Sequence, residues 1–199
     1  LERGETLLVL GASGGVGMAA VDIGRARGAR VVACASSAAK LEACRKQGAD
    51  ILVDYSSDFK EGLKAAGVYG KVDVVYDPVG GALSEVALRA MGWGGRFIVV
   101  GFASGGVTPT DAIPRMPLNL TIINERRIVG LFWGAWKARD PEANRRNIEA
   151  MTQLLATGKL APTVSRVFPL DETVAAFEHL VARRAVGKIC ISPGGGSAM

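Results

Sequence analysis

With 199 residues and 49% hydrophobic content, the chain is long enough for one large domain with a short appendage. It is also apolar enough to bury a core rather than stay disordered. Its net charge of +5 comes from scattered Lys and Arg without an aromatic-studded basic stripe, and no run of about 18 apolar residues suits a membrane span, so neither nucleic acid nor membrane is an expected partner.

The opening residues, Leu1 to Glu5, show neither an initiator Met nor a signal-peptide pattern and read as a cut from a longer protein. Residues 6–10 form a short apolar run of the kind buried on both faces of a parallel sheet. A glycine-rich turn over 11–17 follows, then a helix over about 16–27 that Gly28 ends. Next come a strand over 31–35, a helix over 38–47 closed by Gly48, a strand over 51–53 and a helix over 59–66. A strand over 73–77, a helix over 81–91, a strand over 96–100 and a sixth strand over 127–132 complete the alternation. Residues 103–118, rich in Gly, Pro, Thr and Ser, are expected to be a mobile loop beside the ligand.

Beyond residue 160, strands over 164–168 and 188–191 flank a helix over 171–183. Asp171 is that helix's candidate N-cap, and Val174, Phe177, Leu180 and Val181 form its apolar face. The fold class is therefore α/β, a doubly wound parallel six-stranded Rossmann sheet over 1–160 with a strand–helix–strand appendage over 161–193. Residues 194–199 are expected to be a disordered tail.

The three cysteines, Cys34, Cys44 and Cys190, have no CxxC or Cys/His spacing. That points to reduced thiols in a cytoplasmic compartment and to no metal site built from this chain. The functional signal is Gly11-Ala12-Ser13-Gly14-Gly15-Val16-Gly17, after a strand and opening a helix. A pyrophosphate sits against backbone N–H groups at a helix N-terminus, where the dipole favours negative charge and side chains would block the approach. The end of the second strand then selects the cofactor. NAD sites place an acid there for the ribose 2′-hydroxyl. Here it reads Cys34-Ala35-Ser36-Ser37, and Lys40 follows in the next helix. Hydroxyls and a lysine suit a 2′-phosphate, and one charge-assisted contact of about 1.5–3 kcal/mol gives roughly tenfold or greater preference for NADPH. The plainer alternative makes Ser37 a helix cap and Lys40 a surface lysine.

The chain resembles the zinc-independent quinone oxidoreductases (zeta-crystallin-like) of the medium-chain dehydrogenase/reductase superfamily. The resemblance rests on residues 11–17, on 35–37 with Lys40, on 48–50, on Asp54-Tyr55, on 73–81, 94–96, 100–105, 117–119 and 129–134, and on Gly187-Lys188. It implies that Ser13, Gly14, Gly15 and Val16 hold the pyrophosphate, and that Ser36, Lys40 and Tyr55 surround the 2′-phosphate and adenosine. It further implies that Val79 lines the adenine side, and that Gly101, Phe102, Ala103, Leu131, Phe132 and Trp133 flank the nicotinamide. Competing readings make Tyr55 a cover for a helix end, Phe102 and Phe132 core residues, and Trp133 and Trp136 part of a subunit interface.

By the same resemblance the full-length protein carries an N-terminal barrel-like catalytic domain that this chain lacks. The segment after 160 is then a remnant of that domain, with orphan strands or strands paired in some other way. The implied activity is hydride transfer from NADPH to a quinone or α,β-unsaturated carbonyl, in a homodimer joined through the edge strand 127–131. No catalytic residue is assigned. His179 reads as a surface residue, and Asp54 and Asp77 as local caps. An NADPH-binding module without turnover, and a non-enzymatic structural protein, stay open as alternatives.

Overall fold

The computed structural model describes residues 1–105 and 112–194. It begins with β1 (Thr6–Val9), α1 (Gly15–Ala26), β2 (Arg30–Ala35), α2 (Ala38–Gln47), β3 (Ile51–Asp54) and α3 (Phe59–Ala65). Then come β4 (Val72–Asp77), α4 (Ala82–Arg89), β5 (Met91–Val99), a single turn α5 (Asn119–Ile122) and β6 (Arg127–Gly130). The strands form one sheet in the order β3-β2-β1-β4-β5-β6, and each neighbouring pair is parallel. The order reverses between β1 and β4, which opens the crevice in which such sheets bind ligands.

Short buried runs explain the strands. Leu8, Val9, Val31, Val32, Ala33, Cys34 and Val75 are each fully buried. One apolar cluster lies on each side of the sheet, one around Leu8, Val32, Leu63 and Phe97, the other around Val9, Val21, Val31 and Ala33. Helix ends follow local chemistry. The Ser37 hydroxyl accepts from the Lys40 N–H at the start of α2, and Asp58 accepts from Glu61 N–H at the start of α3. Gly48 closes α2 at a φ of 106°, in the left-handed region open to glycine.

The second half departs from the expectations. β5 starts at Met91, earlier than 96, with a register shift between Val72 and Val74. β6 ends at Gly130, short of 132, because Phe132 is already the N-cap of α6 (Trp133–Arg139). A long helix unforeseen from the sequence, α7 (Pro141–Ala156), follows. The structured end comprises β7 (Val164–Pro169), α8 (Thr173–Val181) and β8 (Lys188–Ser192). β7 and β8 are not orphans: they pair with each other in parallel as a separate two-stranded sheet.

Asp171 is not the cap of α8. It lies in a 3-10 turn over Leu170–Glu172, and Glu172 takes the cap position without a side-chain bond. The expected apolar face of α8 is open to solvent, with Val174 71% and Val181 82% exposed. Of the segment expected to be mobile, 106–111 lies outside the described residues. Ala112 beyond it is buried, and its carbonyl accepts from Gly81 N–H, so that end is anchored. The tail expectation falls outside the described residues from 195 onward.

Candidate functional site

The turn after β1 is packed backbone against backbone. Gly11 has a φ of 58°, and the Gly14 N–H donates to its carbonyl at 3.0 Å. A Cβ on Gly17 would lie 2.3 Å from Gly11 O, so α1 can approach the strand this closely only with glycine there. A Cβ on Gly11 would meet Val79 Cγ2 at 2.7 Å, which ties this turn to the one after β4. Unlike α2, α3 and α7, helix α1 begins without a side-chain cap: its N-cap is Gly14, and no acid occupies its first turn. The first N–H groups of α1 therefore have no side-chain acceptor at the cap. Ser13 is buried and Val16 is 46% exposed at the mouth.

Beside this turn, the ends of β2 and β3 bring Ser36, Lys40 and Tyr55 together. Lys40 Nζ reaches Ser36 Oγ at 3.5 Å. Burial raises the pKa of the Tyr55 hydroxyl, and a side-chain hydrogen bond with Ser36 acts against that rise. Tyr55 also stacks edge-on against Phe59 with ring centroids 6.2 Å apart, so it covers the start of α3 as well as facing Ser36. Ser37 is a helix cap, as above, and Asp54 is occupied locally by the Ser56 N–H at 2.7 Å. No acid stands at the end of β2.

The turn after β4 is held by Asp77, a buried carboxylate. It accepts from Val79 and Gly80 N–H at 2.8 Å and from Ser84 Oγ at 2.6 Å, which fixes Val79 over Gly11. The segment after β5 docks on that turn: Ser104 N–H donates to Val79 O at 2.7 Å. Phe102 is not core. It is 43% exposed, with its ring edge 2.9 Å from where a Cβ on Gly80 would stand. Gly101 is half-buried and Ala103 exposed beside it. At the end of β6, Leu131 N–H continues the ladder to Val99 O at 3.0 Å. Phe132 is not core either. It is 78% exposed, and the Trp133 ring is contacted by Lys137 Nζ at 4.6 Å.

The predicted residues thus share the carboxyl ends of the strands, on the crevice side. The family match covers residues 15–156 and is to the zinc-binding dehydrogenases. The chain belongs to that family. Quinone oxidoreductase-like protein 2 of Bos taurus is 34% identical over 96% of this chain and 54% of its own length. An acryloyl-coenzyme A reductase of Metallosphaera sedula is 33% identical over 96% of this chain and 52% of its own length. The solved structure of a mycobacterial protein complexed with NADPH superposes with a TM-score of 0.82 at 25% identity, over 97% of this chain and 58% of that one. The chain therefore spans about half the length of the relatives it matches, and its resemblance to the quinone oxidoreductases holds.

Despite the family's description, no group of three His, Cys, Asp or Glu able to hold a metal ion occurs among the described residues. The glycine turn, by contrast, fits a dinucleotide, because Gly14 and Gly15 bring no side chain of their own to it, although Gly187 and Lys188 pack against Gly15. Two residues that the sequence reading did not place at this candidate site lie close to it. Arg183 reaches from the C-terminal unit to donate to Ser104 O at 2.8 Å, and its charge is felt at Tyr55. Lys188 lies against Gly15. Their distance in sequence hid both; only Gly187-Lys188 carried a signal, as part of the resemblance.

Proposed function

We propose that this chain is the cofactor-binding part of an NADPH-dependent oxidoreductase acting on a quinone or an α,β-unsaturated carbonyl. The observation that carries the reading is an uncapped, glycine-built helix start next to Ser36 and Lys40. When bound, NADPH supplies the hydride. The chain's own residues bind and orient. In this reading Ser13, Gly14, Gly15 and Val16 hold the pyrophosphate, while Ser36, Lys40 and Tyr55 hold the 2′-phosphate and adenosine. Val79 lines the adenine side. Gly101, Phe102, Ala103, Leu131, Phe132 and Trp133 flank the nicotinamide. Residues 1–160 act as the dinucleotide-binding domain and 161–193 as an appendage to it, in a reducing, cytoplasmic setting suited to the free cysteines. The acryloyl-coenzyme A in one relative's name is an α,β-unsaturated carbonyl compound and a quinone is a conjugated diketone, which supports the enone class.

The test is calorimetric titration with NADPH and NADH, repeated on Lys40→Ala. Preference for NADPH by about tenfold or more, lost in the variant, is expected from one charge-assisted contact. Equal binding of both cofactors in the unaltered chain would overturn the 2′-phosphate assignment. A second reading is a binding module without turnover. It is favoured because Asp54 and Asp77, the acids that end β3 and β4, are both occupied by local backbone N–H groups. Reduction of a quinone by the purified chain would exclude it.

The same proposal includes a homodimer. β6 is the last strand of the sheet, and Ile128 and Val129 on it are 39% and 43% exposed. Such an edge needs a partner or a cover. Sedimentation of a dimer that Val129→Glu converts to monomer is expected; a monomer at tens of micromolar in the unaltered chain counts against it.

A further inference from the structure

We propose that Asp22, on α1 and about two helical turns beyond the glycine turn, is a positioning residue for the dinucleotide site. With Gln47 it pins residues 159–163 to α1 and α2, and through them it holds Gly187 against Ser13 and Gly14. The inference rests on the reading of the glycine turn as a dinucleotide site.

Asp22 is an acid on a helix, yet it is only 3% exposed. A buried carboxylate is costly unless its oxygens are paired. Here both are taken. Oδ1 accepts from Arg25 Nη2 at 3.0 Å, and Oδ2 accepts from Ala161 N–H at 2.7 Å. Arg25 Nη2 also donates to Lys159 O at 2.7 Å, so the two side chains hold the backbone on both sides of Leu160, which is itself buried. Gln47, the last residue of α2, completes the grip. Its Nε2 donates to Ala161 O at 2.9 Å, and its Oε1 accepts from Thr163 Oγ1 at 2.6 Å. Gly48 beside it leaves room for Arg25, because a Cβ there would lie 2.2 Å from Arg25 Cδ.

Two further hydrogen bonds carry this grip to the glycine turn. Thr163 O accepts from Lys188 N–H and Ser13 O accepts from Gly187 N–H, each at 2.8 Å. Gly187 forms a parallel bridge with Gly14, inside the turn itself. Gly15, Met18 and Asp22 follow one another at helical spacing and line one cavity of about 260 Å³, so they share one stripe of α1. The C-terminal unit meets that stripe at two points. Gly187 O lies 3.1 Å from where a Cβ on Gly15 would stand, and Ala161 bonds to Asp22 seven residues on, about 10 Å along the axis. A single attachment lets a rigid unit turn about it, whereas two fix its direction. An apolar side chain at 22 would bury at less cost but would not aim at one N–H; a charge-assisted bond does. Asp22 thus orients the strand that braces Ser13 and Gly14, from a place outside the crevice.

The test is calorimetric titration of the whole chain with NADPH and with NADH, together with amide hydrogen exchange followed by NMR, on Gln47→Ala, Asp22→Ala and Asp22→Asn. Gln47 is half-buried at a helix end, so Gln47→Ala should fold even where Asp22→Ala does not. Without cofactor, Gln47→Ala is expected to speed exchange of the Gly187 amide by about tenfold, while amides inside β1 and β4 keep their parent rates. It is expected to weaken both cofactors by the same factor, about fivefold. Asp22→Ala should act in the same direction and more strongly. Asp22→Asn retains an acceptor for the Ala161 N–H, and it should restore slow exchange at Gly187 and most of the affinity. If Gly187 exchanges at the parent rate in Gln47→Ala, or exchanges faster while both cofactors bind as in the parent, the inference fails and the dinucleotide site stands. A loss confined to NADPH overturns it in the same way. If the parent binds neither cofactor, the dinucleotide reading itself fails and takes this inference with it.

Discussion

The carboxyl end of β1 and the carboxyl end of β6 are equivalent positions in one sheet, yet the chain treats them differently. β1 lies between two strands with an apolar cluster on each face, and its turn is closed by backbone contacts so tight that only glycine fits at 17. β6 is an edge strand whose four residues are all exposed, and Leu131, Phe132 and Trp133 beyond it are 44%, 78% and 57% exposed. The contrast extends to the helices that follow. α1 buries Met18, Val21 and Gly24, whereas α7 buries none of its residues. The phosphate end of the proposed site is thus preformed by packing internal to the chain. The nicotinamide end stands on surfaces the chain itself leaves uncovered.

The contrast can be broken most forcefully in the core. Leu8 is fully buried, so Leu8→Ala should cost about 3–4 kcal/mol of stability, the transfer loss plus a cavity. Ile128→Ala on β6 should cost less than about 1 kcal/mol. Chemical denaturation of both variants checks this, and comparable losses would mean that β6 is covered in solution. Next in size is Gly17→Ala. Its methyl group would press on Gly11 O and on Ala12, so the turn must open. A loss of NADPH affinity of at least about a hundredfold is expected, about 2.7 kcal/mol or more. Phe132→Ala at the other end should move NADPH affinity by only about twofold, as for an exposed side chain without fixed partners. A large loss there would show that the nicotinamide end is as well built as the phosphate end.

The same contrast governs what the sequence discloses. The strands from β1 to β4 are legible because each is a short, mostly apolar run bounded by glycine or a capping residue, as with Ser37, Asp58 and Gly48. The approach of Ser36 to Lys40 follows from their spacing across the start of α2. The late elements are not legible in that way. Their apolar residues, such as Ile148, Met151 and Leu155 on α7, meet α1 only across an open cavity and stay about half exposed, so periodicity reflects no close packing partner. Even so, α7 had a local signal: Asp140 accepts from Ala143 N–H at 2.9 Å, and Pro141 occupies the first turn. Asp171 gave a false one, because the 3-10 turn after Pro169 moves the helix start beyond it. The approaches of Arg183 to Ser104 and of Lys188 to Gly15 join residues far apart in sequence, which no local pattern encodes.

The smallest expected effect separates two kinds of ion pair. Glu5 and Arg96 tie the start of β1 to β5 at 2.6 Å, with side chains 20% and 31% exposed. The Arg96 hydrogen bond holds the Glu5 carboxyl below its ordinary value of 4.5. A carboxyl with a depressed pKa in the folded state binds its proton less tightly there than in the unfolded chain. Its contribution is therefore complete above the unfolded value and fades as pH falls through the folded one. Partly shielded from water, the pair should contribute about 0.5–1 kcal/mol. The stability difference between the parent and Glu5→Gln should be of that size at pH 7 and shrink as pH falls below the ordinary carboxyl value of 4.5. On α7, Glu142 is likewise held below its ordinary value by Arg145, but both side chains are more than half exposed. Glu142→Gln should leave stability unchanged at either pH, because water and salt screen the pair. A pH-dependent loss in that variant as large as in Glu5→Gln would mean that α7 is buried in solution, and the contrast between the two halves of the molecule would then belong to the isolated chain alone.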